Sequence, residues 1–296
     1  MKLHLILSLV TIAGAFAAET ASNQENKTPE QLRKGLKKRG LQSSDGGDAG
    51  ADDGAGSAGC FSALTKVEVQ GKGSVDMASL KIGDYVRSGK HADDYSRVFS
   101  FGHLDPDFKE KFLQIHAEGN SQPIELTGNH MVFVDSKPVR ADTVKVGDML
   151  DNSKVTLIKS VERSGVFAPI TESGEIVVNG VRASSYVAFL EGVLVNQHAL
   201  THMFFAPQRM LCSVNFSFCE NETYTDGFSD YSNWAIQTYM NANNWGAFAK
   251  HAITFAALVI LPFFASAEQA FFSPLLSLAV AGFVVYKAKT KKVKSA

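Results

Sequence analysis

The sequence has no surplus of charge of either sign. Its 296 residues carry 29 Lys and Arg against 30 Asp and Glu, a formal net charge of −1. The basic patch or stripe of a nucleic-acid binder is therefore not expected. Cysteine is scarce: three allow one pair and leave one over. The sequence shows no metal-ligand cluster, no nucleotide-binding loop and no cofactor motif, so neither a metal nor a cofactor is expected. The first apolar run, Leu3 to about Phe16, is shorter than the ~20 residues that a membrane span needs. Length allows one or two domains. Hydrophobic residues make up 45% of the chain but gather at its two ends, so the middle has an ordinary soluble composition.

What is present at the start is a secretory signal over residues 1–18: Lys2, the apolar run, then small residues Ala15 and Ala17 before a cleavage near Ala17 or Ala18. The secretory pathway follows, with the product membrane-anchored or secreted. Three sequons agree with that route, at Asn26, Asn215 and Asn221. In an oxidising compartment Cys212 and Cys219, close in sequence, can pair. Cys60 is then the odd cysteine and a candidate reactive thiol. Its place at the head of a domain predicts that it is not buried. Residues 19–59 are rich in Gly, Ala, Ser, Asp and Lys without apolar periodicity, and read as a disordered leader. Within it "KKR" at 37–39 is either a dibasic processing site or a solvated charge run.

From Cys60 to about residue 211 short alternating segments such as "TKVEV" and "EIVVNGV", broken by glycine turns, predict an all-β domain of many short strands. One nonapeptide is echoed. "ASLKIGDYV" (78–86) matches "DTVKVGDML" (142–150), and each Gly-Asp pair predicts a turn into a strand. Two copies fit a β domain built from two related halves. Residues 212–251 read as a glycosylatable loop-and-helix appendage. Residues 252–286 are a hydrophobic, membrane- or lipid-contacting region interrupted by Pro262 and Pro274. Residues 287–296 are a basic tail with five lysines. The positive-inside tendency puts that tail in the cytosol. Given a lumenal N-terminus, one crossing through residues 270–286 satisfies it; a two-helix hairpin or a region that touches lipid without crossing stays open.

The stretch "GSAGCFSALTKVEV" sets Cys60 at the seam between leader and β domain. Further on, "LTGNH" places Thr127 and His130 three residues apart, so that a hydroxyl and an imidazole can share a turn and face one peptide group. With a domain-leading Gly-Cys in a duplicated β domain, that pattern gains meaning. The blocks "GCFSALTKVEV", "VDMASLKIGDYVRSG", "YSRVFSF", "ELTGNHMVFV", "VRADTVKVGDML", "VNGVRASSYVAF" and "LTHMFFAPQRM" resemble, in order and spacing, the autoprocessing module shared by Hedgehog proteins and inteins, the Hint domain. The resemblance covers about residues 59–211 and is closer to Hedgehog, because an intein's terminal His-Asn is not visible.

The resemblance implies a pseudo-two-fold, horseshoe-like Hint domain over 60–211 followed by a helical, apolar C-terminal region. It also implies a chemistry. Cys60 attacks the Gly59 carbonyl to form an internal thioester, Thr127 holds the scissile peptide, and His130 protonates the leaving nitrogen. A second nucleophile then releases the leader, the chain's own substrate. In Hedgehog that acceptor is a sterol, whose hydroxyl is activated by an aspartate in the block written here "YSRVFSF". At that place the resemblance sets Arg97, which cannot act as a base at neutral pH; Asp93, Asp94 and Asp105 lie nearby. The acceptor classes are water, a sterol or other membrane-lipid alcohol, or an amine. The family's Ser-Cys-Tyr block reads Ser184-Ser185-Tyr186, without the further thiol. The competing readings are a catalytically silent, membrane-tethered binding module and a cysteine protease that acts on other proteins.

Overall fold

The two Gly-Asp pairs mark the same turn twice. Asp84 N donates to the Lys81 carbonyl and Asp148 N to the Lys145 carbonyl, each at 3.1 Å. Each aspartate carboxylate in turn accepts from the backbone of its lysine. Gly83 and Gly147 sit at φ +95° and +101°, a left-handed conformation that costs an L side chain about 1–2 kcal/mol. A short 3-10 turn precedes each, at Met77–Ser79 and Ala141–Thr143. The echo in sequence is thus an echo in backbone.

A computed structural model describes residues 59–188, 196–244 and 247–274. The signal, the leader with Asn26, residues 275–286 of the expected crossing and the basic tail lie outside the described residues. The first half of the β domain holds β1 (Phe61–Ser62), β2 (Lys66–Val69), β3 (Gly73–Asp76), β4 (Tyr85–Arg87) and β5 (Tyr95–Ala117). The second holds β6 (Ile124–Leu126), β7 (His130–Val134), β8 (Lys137–Arg140), β9 (Met149–Leu150) and β10 (Ser153–Thr171), followed by β11 (Glu175–Val178) and β12 (Val181–Val187). The hairpins β2–β3 and β7–β8 correspond. So do the turns that open them, where Thr65 N donates to the Ser62 carbonyl at 3.2 Å and His130 N to the Thr127 carbonyl at 3.1 Å. Phe61 pairs with Leu126 across the junction of the halves and with Phe167 on its other side.

Two strands are much longer than the sequence pattern suggests. β5 has 23 residues and β10 has 19, and they pair antiparallel from Val155↔Ala117 to Thr171↔Val98. Gly102, Pro106, Gly165 and Pro169 lie within this ladder, which shifts register near Ser164/Val166 and Phe167/Pro169. The alternation is lost at those shifts, which is why the ribbon looks like separate short strands.

The helical part comprises α1 (Gln197–Phe204), α2 (Ala206–Val214), α3 (Ser217–Glu220), the hairpin β13 (Tyr224–Thr225) and β14 (Phe228–Ser229), α4 (Asp230–Asn244) and α5 (Ala247–Phe271). Cys212 in α2 and Cys219 in α3 are joined by a disulfide with Cα atoms 5.7 Å apart. Both are buried with Phe99, Met131, Tyr186 and Phe205. Within the stretch expected as an appendage, Cys212 and Cys219 thus sit in the core, and the hairpin extends the sheet by pairing β14 with β5. Asn215 and Asn221 are exposed.

α5 continues through Pro262 rather than breaking there, with the Ser266 hydroxyl donating to the Pro262 carbonyl at 2.8 Å. Among the described residues, no helix is long and apolar enough to cross a membrane; the expected crossing through residues 270–286 lies mostly outside them. Leu261 packs on Leu200 of α1, and Glu268 is held by both edge nitrogens of Arg209 at 2.7 Å. The helix thus turns one side to protein while Phe255, Val259 and Phe263 remain exposed.

Candidate active site

Cys60 is fully buried, with 0% of its surface exposed, contrary to the expectation from its place at the seam. The reason is the pairing of β1. The strand it leads into lies between β6 and β10, so the head of the domain is threaded into its middle. Phe112, Val166 and Ala168 pack around it.

Thr127 holds Cys60 by both backbone groups. The Cys60 N–H donates to Thr127 Oγ1 at 3.0 Å, and the Thr127 N–H donates to the Cys60 carbonyl at 3.0 Å. The Thr127 hydroxyl donates onward to Asn129 Oδ1 at 2.9 Å. The turn that follows β6 brings Thr127 and His130 to one side, as their spacing predicts. His130 is also fully buried. Its Nε2 lies 2.7 Å from the Ser184 carbonyl. A carbonyl only accepts, so Nε2 carries the proton and the neutral ring has a bare Nδ1. That Nδ1 has no hydrogen-bond partner of ordinary geometry, although the Gly59 backbone is near enough to act on the ring. Burial pushes the His130 pKa down to about 4, against the upward pull of the Ser184 and Gly59 backbones.

Gly59 has no room for a side chain. A Cβ there would fall 1.8 Å from Val187 Cγ1, 2.9 Å from Val187 Cβ and 3.3 Å from His130 Cα. Val187 ends β12 and pairs with His130, so the same strand that carries the Ser184 carbonyl closes over the peptide before Cys60.

A second imidazole reaches the sulfur. His103 Nδ1 is 3.4 Å from Cys60 Sγ. Burial lowers the His103 pKa to about 4, with Asp105 opposing. Burial first, then Glu110, raises the Cys60 thiol well above its ordinary range. At neutral pH the resting pair is therefore a thiol beside a neutral imidazole. The sequence pattern did not point to His103, because the contact depends on how β1, β10 and β5 pair.

Arg97 is not brought to the thiol. It stands six residues before His103 on β5, about 20 Å along an extended strand. Its Nε donates to Glu172 Oε1 at 3.0 Å, and its guanidinium lies 4.1 Å over the Phe216 ring. Asp105 is next to the site through its effect on His103, whereas Asp94 caps a turn by accepting from His91 N at 2.8 Å. Ser184, at the family's Ser-Cys-Tyr block, contributes its carbonyl to His130, and its hydroxyl lies 2.8 Å from His198 Nδ1. Among the described residues no three His, Cys, Asp or Glu side chains converge as a metal set.

Chemically, the arrangement offers a thiol next to a base, a peptide nitrogen held by a hydroxyl, and a second imidazole with a bare nitrogen. The family model described as the Hint module matches residues 48–241. Sonic hedgehog protein of Xenopus laevis is 30% identical over 180 residues, which are 54% of this chain and 39% of that protein. Warthog protein 1 of Caenorhabditis elegans is 30% identical over 160 residues, 49% of this chain and 31% of that protein. The chain thus spans well under half the length of these curated relatives. Among solved structures, the gp41-1 intein covers 43% of this chain and 99% of its own at 18% identity, with a TM-score of 0.37.

Proposed function

The chain belongs to the Hint family, and from that premise we propose that it cuts its own backbone between Gly59 and Cys60 through a thioester. The observation that carries this reading is the peptide itself. Its nitrogen is held by Thr127, its following sulfur is in contact with His103, and the vacant Nδ1 of His130 is the atom left to serve it.

In the first step the thiol proton passes to His103 Nδ1 as Sγ bonds to the Gly59 carbonyl carbon. The carbon–nitrogen bond then breaks, and the Cys60 nitrogen takes a proton from His130. Because Nε2 already donates to Ser184, only the imidazolium carries a proton on Nδ1. With a pKa of about 4, that form is about one molecule in a thousand at pH 7, so the resting site is restrained. Before the second step His103 returns the thiol's proton to solvent and His130 takes one up; a nucleophile then attacks the thioester and gives its proton to the neutral His103. The carbon–sulfur bond breaks, and the departing thiolate is reprotonated there. His103, not Arg97, takes the role of base for the acceptor.

The acceptor is water or an alcohol, a sterol or other membrane lipid alcohol included, and the released group is the N-terminal leader. The secretory route and a membrane-anchored or secreted product accompany this reading, as do glycans at Asn215 and Asn221. The test is intact-mass analysis of purified full chain with and without dithiothreitol or hydroxylamine. The expected products separate at Gly59/Cys60, and the fragment ending at Gly59 carries the mass of the acceptor. Cys60→Ala abolishes the cut, and His130→Ala slows it at least about 100-fold, the range of a general acid. A folded chain that stays whole under both nucleophiles refutes the proposal and returns the protein to the class of silent binding modules.

A further inference from the structure

The thioester, once formed, lies in a closed site. Cys60 has no exposed surface and His103 has 5%. On one side the sulfur is walled by Phe112, Val166 and Ala168, all in the core. Around His103 the wall is of another kind. The Phe228 ring stacks on the imidazole, with centroids 4.1 Å apart and planes 8° from parallel. The turn of the same hairpin covers the ring edge, where a Cβ on Gly227 would come within 2.8 Å of His103 Nε2. Phe108 touches from a third direction, edge-on at 6.0 Å. Phe228 and Gly227 are half-buried.

The hairpin that carries Phe228 is slight. Its two strands have two residues each, joined at Asp226-Gly227 with φ of +51° and +82°, the left-handed pair of a two-residue turn. It meets β5 through the single register pair Phe228↔His103 and the bond from Leu104 N to the Gly227 carbonyl at 2.7 Å. The Tyr224 hydroxyl accepts from Phe101 N at 3.3 Å. A two-stranded hairpin of this size is marginal on its own. Tyr224 packs on the core and Ser229 is buried, but the hairpin is not part of the β5–β10 ladder, so displacing Phe228 would leave that ladder paired.

We propose that Phe228 determines which nucleophile resolves the thioester, because a nucleophile much larger than water or hydroxylamine reaches the acyl–sulfur bond only by displacing its ring. This rests on the self-cleavage reading and adds the residue that selects the acceptor. The segment after the β domain then acts on the second step through one aromatic side chain on the base, not through contact with the sulfur.

The experiment compares hydroxylamine, which is small, with glutathione, which is bulky, on the full chain. Cleavage rate is followed against nucleophile concentration. The initial slope reports capture of the thioester, and the plateau reports its formation. Phe228→Ala is expected to raise the glutathione slope relative to the hydroxylamine slope by about two- to tenfold, the scale of removing one aromatic pairing from the closed state. Phe228→Leu, which keeps apolar bulk and so protects the fold, is expected to fall between. An unchanged ratio in Phe228→Leu and in any Phe228→Ala that folds, with cleavage intact, overturns the gate and leaves self-cleavage standing. No cleavage from the wild-type chain under either nucleophile overturns both.

Discussion

A single methyl group placed on Gly59 tests the geometry of the cut. The Cβ of Gly59→Ala falls 1.8 Å from Val187 Cγ1, where carbon atoms ordinarily stand about 3.5–4.0 Å apart. One of the two must retreat by about 2 Å. Val187 pairs with His130, three residues beyond the Ser184 whose carbonyl orients that imidazole, so relief on either side misplaces the peptide or its proton donor. Overpacking of this kind costs about 1–3 kcal/mol. If all of it falls on the productive geometry, thiol-induced cleavage slows about 5- to 150-fold. Val187→Ala removes the 1.8 Å contact but leaves the one at 2.9 Å. The double variant is therefore expected to recover part of the rate and not all of it. The assay is the cleavage time course with excess hydroxylamine, with thermal melts to show that each variant is folded. Wild-type cleavage by Gly59→Ala, or a double variant no faster than it, would refute the idea that this strand sets the requirement for glycine.

Three other outcomes are expected. Thr127→Val strands the buried Cys60 N–H, a loss of about 1–3 kcal/mol that should appear in both the melting curve and the cleavage rate, while Thr127→Ser keeps most of each. Acid should destabilise the fold early. Burial holds His103, His130 and His198 at about 4 and His202 at about 3, below their ordinary 6.5, so the unfolded chain binds protons that the folded chain refuses. Their contribution is intact above pH 6.5 and is lost as pH falls toward 4, at up to about 5 kcal/mol per pH unit for four groups; urea titrations at pH 7 and 5.5 check this, and equal midpoints would contradict it. Replacing Cys212 and Cys219 together by Ser opens a short loop and should cost about 2.5 kcal/mol by chain entropy, read as a lower melting temperature.

The seam residue, the T-x-x-H pair and the repeated Gly-Asp turns were readable because each is a local signal, fixed by neighbours within a few residues. Thr127 and His130 share one turn, and Gly83 and Gly147 mark theirs by conformation alone. His103 was not readable, since its contact with Cys60 exists only after β1 has paired with β10 and β10 with β5. The same cause hides that Arg97 lies away from the sulfur. A block of seven residues in a long, bulged strand does not say which of its members, or of those just beyond it, faces the sulfur. The burial of Cys60 was hidden for a related reason: a residue at the edge of a domain in sequence lies at its centre in space. In α5 the composition suggested lipid, but Leu261 and Glu268 are committed to Leu200 and Arg209, partners some 60 residues distant.

Thr127's double grip on Cys60 has a consequence for the direction of the reaction. When the bond is cut, the nitrogen becomes a free amine that is still fastened beside the sulfur to which the acyl group has moved. On the self-cleavage reading, an amine so placed competes with every acceptor, water included, by re-forming the peptide. The leader would then depart only as fast as an acceptor captures the ester before the peptide closes again.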